Sequence, residues 1–381
     1  MRSHGERRPA ILVSEQVLES KDAAEVFLTA VPRQSRPVPQ QASRLLKAVA
    51  DVLKARGARL LHERIFATTS AVETVLAARR EAYGSLDDGV PPIMLAVPQG
   101  PCGEIMGVQV HAVCSAEPSR IVRLGKKSVG RIATVAGLDY VALSGLVAPD
   151  AGAKPAQARA IFEKAEDALA TAGGDMHSVA RTWLWLGDIL PWYDEFNRVR
   201  NGFFTERGLL DGSLSGSRLP ASTGIGVGPA GPAACALDVI AVVGKRASIE
   251  YLHDAGNQRS PFHYGSAFSR AARASTPAGH TVYVSGTAAI DTAGHTAHMG
   301  DSRGQIHMTI ENVRAAFRHA GCKDADVVQA LAYSKTPEVE KVFLDGWKDL
   351  GWPCISVQGD VCRDNLLFEV EATACPESRR V

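Results

Sequence analysis

The sequence of 381 residues lacks the features that would place it in a membrane, on nucleic acid or outside the cell. It has no run of 18 apolar residues, and its first 15 residues include basic residues but no apolar region of the length that a signal peptide needs, so we expect neither a membrane span nor a secretory leader. The 42 Lys and Arg residues nearly balance 41 Asp and Glu residues, which leaves no bulk field to attract nucleic acid. We therefore expect no membrane partner and no nucleic-acid partner.

Cysteine is scarce and scattered. The seven cysteines are odd in number and form no CxxC pair, which argues against a disulfide framework or a zinc ribbon. This usage is typical of a reducing compartment, so we expect a cytoplasmic protein. His295 and His298 stand three residues apart, but no carboxylate or cysteine completes a ligand set with them, so we expect no metal and no cofactor.

What the sequence does contain is one order of elements repeated three times. Each copy has a short strand, an amphipathic helix that ends at a glycine, a second strand, a second amphipathic helix and two closing strands. The copies span residues 10–115, 125–246 and 250–378. This order predicts an α+β fold of three tandem units, each a mixed sheet with two helices on one face.

The helices cover only one face of each predicted sheet, so the other face must be buried elsewhere. Three copies in one chain predict that these open faces pack around a common axis and form an intramolecular pseudo-trimer. The alternative is three independent domains on flexible linkers, but the connecting segments 114–128 and 244–265 contain no Gly/Ser tract. We expect a monomer that imitates a trimer, or a weak homo-oligomer.

The last strand of the third copy carries two carboxylates. In the run from Leu367 to Ala372, Glu369 and Glu371 share one face and the apolar side chains share the other. A carboxylate on so apolar a strand is either solvated or held in a pocket where its pKa is raised. The register of the sheet decides between these outcomes, because a slip of one residue reverses every side chain.

The repeated unit resembles the Rid/YjgF family, whose members are trimers of one small α+β unit. The third copy carries VSGTAAIDTAGHTAHMGDSRGQ and FEVEATA, which are similar to the signatures of that family. It also carries YGSAFSRA and CRDNLLFEVEA, which resemble the chorismatase subfamily, as do FNRVR and PASTGIG in the second copy. For a chorismatase, the resemblance implies cleavage of the enol-pyruvyl ether of chorismate to pyruvate and a cyclohexadiene diol or hydroxybenzoate.

In Rid-type trimers the active clefts lie between neighbouring units, so three unequal units imply three unequal clefts. Only the third unit has an unambiguous glutamate, Glu369, at the closing-strand position, where the first has Gln109 and the second has Asp238 or Ala236. Glu369 is therefore the expected general acid or base, and the working cleft is expected between the second and third units.

The arginine that simple Rid deaminases carry upstream of this glutamate, where it binds a substrate carboxylate, is missing. The matching place holds Cys354 in the third unit and Ser222 or Thr223 in the second. Without this anchor, a plain imine deaminase is disfavoured. Cys354 is expected to be a pocket-lining thiol, because no histidine is placed to activate it.

Chorismate is a dicarboxylate, so its hydrolase needs two cationic anchors. Tyr193, Asn197 and Arg200 lie at i, i+4 and i+7 and therefore on one helical face, which favours Arg200 over Arg198 as an anchor. Lys335 is the second candidate cation. A solvated strand end would explain Lys335 equally well.

The other expected cleft residues come from the third unit. Donors in the SGTA turn are suited to hold a water or a substrate oxygen. Arg270 is either an anchor or a surface charge, and Phe268 is expected to form part of the wall. The substrate-binding set is completed by Ser285, Gly286, Thr287 and Tyr264. The first unit, with His62, Glu63 and Arg64, is expected to be a scaffold.

Two other functions remain open. One is a Rid-type hydrolase of an enamine or imine, or another enzyme that acts on a small acid in a biosynthetic pathway. The other is a non-catalytic small-molecule binder. These two functions and the chorismatase-like hydrolase share a small-molecule ligand. The chorismatase-like hydrolase and the Rid-type enzyme would both act on a small carboxylic acid.

Overall fold

Three mixed β-sheets organise the chain in a computed structural model that describes residues 9–214, 216–376 and 379–380. Each sheet takes most of its strands from one continuous part of the sequence and carries two α-helices. No helix in these ranges is long and apolar enough to cross a membrane.

The first unit ends at residue 115, and its first helix, α1, stops at a glycine with positive φ, Gly57 (φ +62°). Its central strands pair in the order β4-β3-β5-β2-β1. The elements are β1 (Ile11–Glu19), β2 (Ala23–Pro32), α1 (Val38–Arg56), β3 (Arg59–Ala67), α2 (Val72–Tyr83), β4 (Ile93–Ala96) and β5 (Ile105–Ser115).

The second unit repeats this order with one extra edge strand, in the order β10-β9-β12-β8-β7-β6. Its sheet begins at Arg120, ahead of the predicted boundary at residue 125, so part of the expected connecting segment is a strand. The elements are β6 (Arg120–Leu124), β7 (Lys127–Val135), β8 (Leu138–Val147), α3 (Lys154–Thr171), β9 (Val179–Leu186), α4 (Tyr193–Glu206), β10 (Ala221–Ile225), β11 (Gly228–Pro229) and β12 (Cys235–Gly244).

The third unit has the same strand order, β17-β16-β18-β15-β14-β13. The elements are β13 (Ile249–Leu252), β14 (Ala271–Thr276), β15 (Gly279–Ala288), α5 (Ser302–His319), β16 (Val327–Ser334), α6 (Pro337–Gly346), β17 (Cys354–Gln358), β18 (Phe368–Ala374) and β19 (Arg379–Arg380). Two short strands tie the units together, because β11 of the second unit pairs with β4 and β19 pairs with β1. The predicted end of this unit at residue 378 lies outside the described residues.

Four large hydrophobic cores confirm the predicted packing. Three of them lie between one sheet and its own pair of helices. The fourth lies where the open faces of all three sheets meet, with Phe66 from the first unit, Trp185 from the second and Leu331 from the third. Because this central core mixes side chains from all units, the chain is a pseudo-trimer rather than three domains on linkers.

Neighbouring units meet at three seams. We name them the first–second seam (β4 against β8), the second–third seam (β10 against β15) and the third–first seam (β17 against β2 and β5). Each seam brings the last parallel strand of one unit beside an early strand of the next. The seams are therefore built from matching parts.

Sheet register shows which residues are equivalent. The strand that follows the first helix of each unit (β3, β9 and β16) has a shift in pairing register near its start. The shift lies just ahead of His62 in β3, Arg181 in β9 and Gln329 in β16. Four residues after these positions stand Phe66, Trp185 and Tyr333, and they pair with Gly107, Ala236 and Glu369 respectively.

The first unit therefore has Gly107, and not the predicted Gln109, at the position of Glu369. Of the two alternatives for the second unit, Ala236 is the match. Gln109 and Asp238 are instead equivalent to Glu371. The prediction for the first unit was two residues out of register, an error that alternation cannot reveal because a shift of two keeps each side chain on its face.

Candidate active site

A cleft at the second–third seam brings residues from both units together. Helix α4 and strand β10 line it from the second unit, and β15, β18 and the segments that precede β14 and β18 line it from the third. Together with its open mouth, the cleft holds about 710 Å³ of space. The sequence predicted a cleft at this seam.

Glu369 lies in this cleft, on the face of β18 opposite Phe368 and Val370, which pack against the helices. Its side chain is buried, and within the described part of the chain it has no hydrogen-bond partner. Burial and, next, the charge of the neighbouring Glu371 raise the pKa of Glu369 to about 8, although Arg270 and Arg181 oppose the shift. The carboxyl group is therefore protonated at neutral pH and positioned to donate a proton.

Helix α4 presents Tyr193, Asn197 and Arg200 to the cleft, as the i, i+4, i+7 spacing predicted. Arg200 is buried, and its Nη2 atom donates to Oδ1 of Asn197 at 2.6 Å. Its guanidinium lies 5.6 Å from the ring centre of Phe268, which also lines the cleft. Arg198, the rejected alternative, is exposed on the other side of the helix.

The third unit adds two guanidinium groups. Arg270 is buried, donates from Nε to the carbonyl oxygen of Arg259 at 3.1 Å and lines the cleft, so it is not a surface charge. Arg363 also lines the cleft and donates from Nη1 to the carbonyl oxygen of Gly294 at 2.9 Å. Arg363 was not predicted to be a cleft residue, although its place in CRDNLLFEVEA, just ahead of the strand of Glu369, was a signal.

Of the SGTA turn, Gly286 and Ala288 line the cleft. Gly286 lies so close to Glu369 that a Cβ atom at this position would clash with Oε1 of that carboxyl. The hydroxyl of Ser285 instead donates to the carbonyl oxygen of Ser269 at 2.6 Å, and Thr287 donates to the carbonyl oxygen of Ser285 at 2.8 Å. The prediction for Ser285 and Thr287 is corrected, because their hydroxyl groups hold the turn and do not line the cleft.

Strand β10 supplies the small residues of the opposite wall. Ser222 and Gly224 line the cleft, whereas Thr223 points toward the axis between them. The hydroxyl oxygen of Thr223 accepts from Nη2 of Arg181 at 2.5 Å and from the backbone N–H of Gly286 at 3.0 Å. Of the two open alternatives, Ser222 is thus the cleft residue, and no arginine stands on this strand.

Lys335 does not line the cleft. Its Nζ atom donates to the carbonyl oxygen of Asp364 at 2.7 Å and lies 3.8 Å from the carboxylate of Asp360. The lysine therefore fastens the segment between β17 and β18, which explains its charge without a substrate.

Cys354 belongs to another seam. It begins β17, which β16 separates from β18, and the adjacent Pro353 contacts Thr29 of the first unit. Sequence position could not show which neighbouring unit this edge meets. The thiol that does line the cleft is Cys362, whose pKa burial raises to about 12, so it is a neutral wall residue. The side chain of Tyr264 lies outside the described residues.

The first unit also reaches toward this site. Nη1 of Arg64 donates to Oε1 of Glu371 at 3.0 Å, across an ion pair that is fully buried. The two residues are 307 positions apart in the chain, so the sequence gave no sign of this contact.

Known structures give the fold a counterpart, although no protein-family model and no curated protein sequence matches the chain. A solved chorismatase superimposes with a TM-score of 0.59 and 21% sequence identity, over 83% of this chain and 93% of that chain. The chain has the chorismatase fold.

Single-unit structures resemble parts of the chorismatase fold described here. A member of the YjgF/YER057c/UK114 family from Mycobacterium tuberculosis has 23% identity and a TM-score of 0.26, over 33% of this chain and 98% of that chain. A Rid-family protein from Yersinia pestis has 17% identity and a TM-score of 0.27, again over 33% of this chain and 98% of that chain.

Proposed function

We propose that this chain hydrolyses the enol-pyruvyl ether of chorismate, with Glu369 as general acid and base. The observation that carries the proposal is a buried, protonated carboxyl group in a cleft that three arginines also line. Similarity to a protein named chorismatase supports the choice of substrate. The products are pyruvate and a cyclohexadiene diol or a hydroxybenzoate.

The three guanidinium groups match the charge of the substrate. Chorismate carries two carboxylates, and Arg200, Arg270 and Arg363 approach the cleft from different elements. A guanidinium binds a carboxylate through two parallel hydrogen bonds, which fixes orientation as well as affinity. Held in this way, the substrate would present its ether to Glu369 between the two walls.

The raised pKa of Glu369 suits the first step of the reaction. The carboxyl proton moves to the methylene carbon of the enol ether, which leaves a carbocation that the ether oxygen stabilises. Water then adds to the cationic carbon that bears the ether oxygen, which gives a hemiketal, and it returns a proton to the Glu369 carboxylate. The hemiketal breaks at its bond to the ring oxygen, which takes up the hemiketal proton, so that one water is consumed and pyruvate and the ring diol are released.

The test is pyruvate release from chorismate by the purified protein. Glu369→Gln keeps the shape of the side chain but removes the transferable proton, so we expect the turnover number to fall by about 10²–10⁴-fold. Glu340→Gln is a matched control. Glu340 is a buried glutamate of the same unit, outside the cleft lining, and its carboxylate accepts from Ser356 and Gln358.

The outcomes separate the candidate functions. No pyruvate above background from the unmodified protein would overturn the proposal. Release of ammonia from an enamine made in the assay would then identify a Rid-type hydrolase. Binding of chorismate without turnover of either compound would identify a small-molecule binder.

A further inference from the structure

The three units meet in a buried polar network centred on Glu371. Its Oε1 atom accepts from Nη1 of Arg64 at 3.0 Å and from Nε1 of Trp183 at 2.7 Å. Its Oε2 atom accepts from Nη2 of Arg181 at 2.8 Å. One carboxylate of the third unit is thus held by the first and second units together.

The network is rigid because each of its two arginines has a further contact besides the one to Glu371. The guanidinium groups of Arg64 and Arg181 each lie 4.6 Å from the ring centre of Trp183. Nη2 of Arg64 also donates to Oε1 of Gln109 at 2.8 Å, and Nε2 of Gln109 donates to a backbone carbonyl of the third unit at 2.8 Å. Such a set fixes the place of the charge on Glu371.

Glu371 shares its face of β18 with Glu369, two residues away, and both are buried. We propose that Glu371 is a positioning residue that sets the proton affinity of Glu369, and that Arg64 brings the first unit into the chemistry of the cleft by anchoring Glu371. This inference rests on the proposed role of Glu369 as the acid.

Several charged or titratable groups face Glu369, and their effects have opposite signs. Burial is the largest influence and raises the pKa of Glu369, and the charge of Glu371 comes next and raises it further. Arg270 and Arg181 lower this pKa. The remaining groups are Tyr333, which pairs with Glu369 across the sheet, and those that line the cleft, namely Tyr193, Asp194, Arg200, Cys362 and Arg363.

The second unit contains a natural control for Glu371. Asp238 stands at the equivalent position, accepts from the backbone N–H of Gly145 at 2.6 Å and from Nε1 of Trp185 at 3.0 Å, and lies 3.2 Å from Nε2 of His62. Its neighbour two residues away is Ala236 rather than a glutamate. Asp238→Asn therefore neutralises a matched buried carboxylate at a different seam.

The experiment is an infrared titration of the protonated Glu369 carboxyl, identified as the band that Glu369→Gln removes. We expect Glu371→Gln to move the midpoint downward by about one pH unit or more, because the like charge is lost while both arginines stay. Asp238→Asn should leave the midpoint in place. An unchanged midpoint in Glu371→Gln, or an equal shift in Asp238→Asn, would overturn the inference.

If Glu371→Gln does not fold, the same titration can be carried out with two variants of Arg64. Arg64→Met removes a cation from Glu371 and should raise the midpoint, whereas Arg64→Lys keeps the charge and should restore it. An unchanged midpoint in Arg64→Met would contradict the inference.

The titration needs no substrate, so the two proposals fail separately. A shifted midpoint without pyruvate release supports the electrostatic link and overturns only the reaction. Pyruvate release without the shift overturns only the link.

Discussion

The second–third seam differs from the other two seams at three equivalent positions, although all three seams are built from equivalent strands. Glu369 faces this seam, where the first–second seam has Ala236 and the third–first seam has Gly107. The parallel edge strand carries Thr223 here, and isoleucine at the other two seams (Ile93 and Ile355).

The third difference is Gly224, which corresponds to Met94 and to Ser356. At the third–first seam, the hydroxyl of Ser356 donates to Glu340 of α6 at 2.8 Å, so polar groups there satisfy one another. At the second–third seam, the corresponding glycine leaves space beside Tyr193.

Packing explains what fills the two other seams. A Cβ atom on Gly107 would lie 2.8 Å from Cδ1 of Ile355, and a Cβ atom on Gly145 would lie 3.3 Å from Cδ1 of Ile93. The isoleucine side chains thus occupy the space beside these glycines, where buried apolar area stabilises the fold. The same fold therefore accommodates either a cleft or a packed seam, depending on a few side chains.

The largest effect is expected from the closest contact in the cleft. Gly286→Ala places a Cβ atom against Oε1 of Glu369, so the carboxyl must move. A displacement of about 1 Å is expected to reduce kcat about 100-fold. Steady-state pyruvate release measures the change.

The matched variant is Gly145→Ala, at the equivalent turn of the first–second seam. Its φ of +62° makes alanine strained there, at a cost of about 1 to 2 kcal/mol in the free energy of unfolding. The folded protein should keep its kcat. Equal losses of kcat in both variants would show that the turn acts only through stability.

A smaller effect is expected when the second–third seam is made to resemble the others. Thr223→Ile removes the hydroxyl oxygen that accepts from Nη2 of Arg181 and from the backbone N–H of Gly286. We expect kcat/KM to fall about tenfold, since a buried donor left unpaired costs about 1 to 3 kcal/mol. The reverse change, Ile93→Thr, should leave kcat/KM unchanged.

A separate effect concerns the free energy of unfolding rather than the reaction. Because the pKa of Glu369 is about 8 in the folded protein against 4.5 ordinarily, the unfolded chain ionises first as the pH rises. The folded state should lose up to about 4 kcal/mol between about pH 5 and pH 8, a loss that Glu369→Gln should not show. Denaturant unfolding at both pH values tests this, and parallel pH dependence of the two proteins would contradict it.

The triplicated fold could be predicted because periodicity is a local property. Helix and strand patterns repeat in order, and covered and uncovered sheet faces follow from them. The same reasoning placed Arg200 on the correct face of α4, because helical spacing fixes direction. Parity along β18 likewise put Glu369 and Glu371 on one face.

What could not be predicted depends on long-range geometry. The alternation of side chains along a strand shows which face each residue occupies, but it cannot detect a register shift of two residues. Such a shift caused the wrong placement of Gln109. The sequence of a strand does not show which neighbouring unit packs against its edge, so Cys354 was assigned to the wrong seam. Arg363 lies between two strands without any periodicity, and Arg64 meets its partner only through the assembled axis.

Joining three units in one polypeptide also fixes the stoichiometry of the molecule. A trimer of separate subunits has three identical clefts and loses them on dissociation, so its activity per chain depends on concentration. Here the residues of the cleft are connected covalently. Dilution therefore does not take the cleft apart, and we expect one ligand per chain to saturate it.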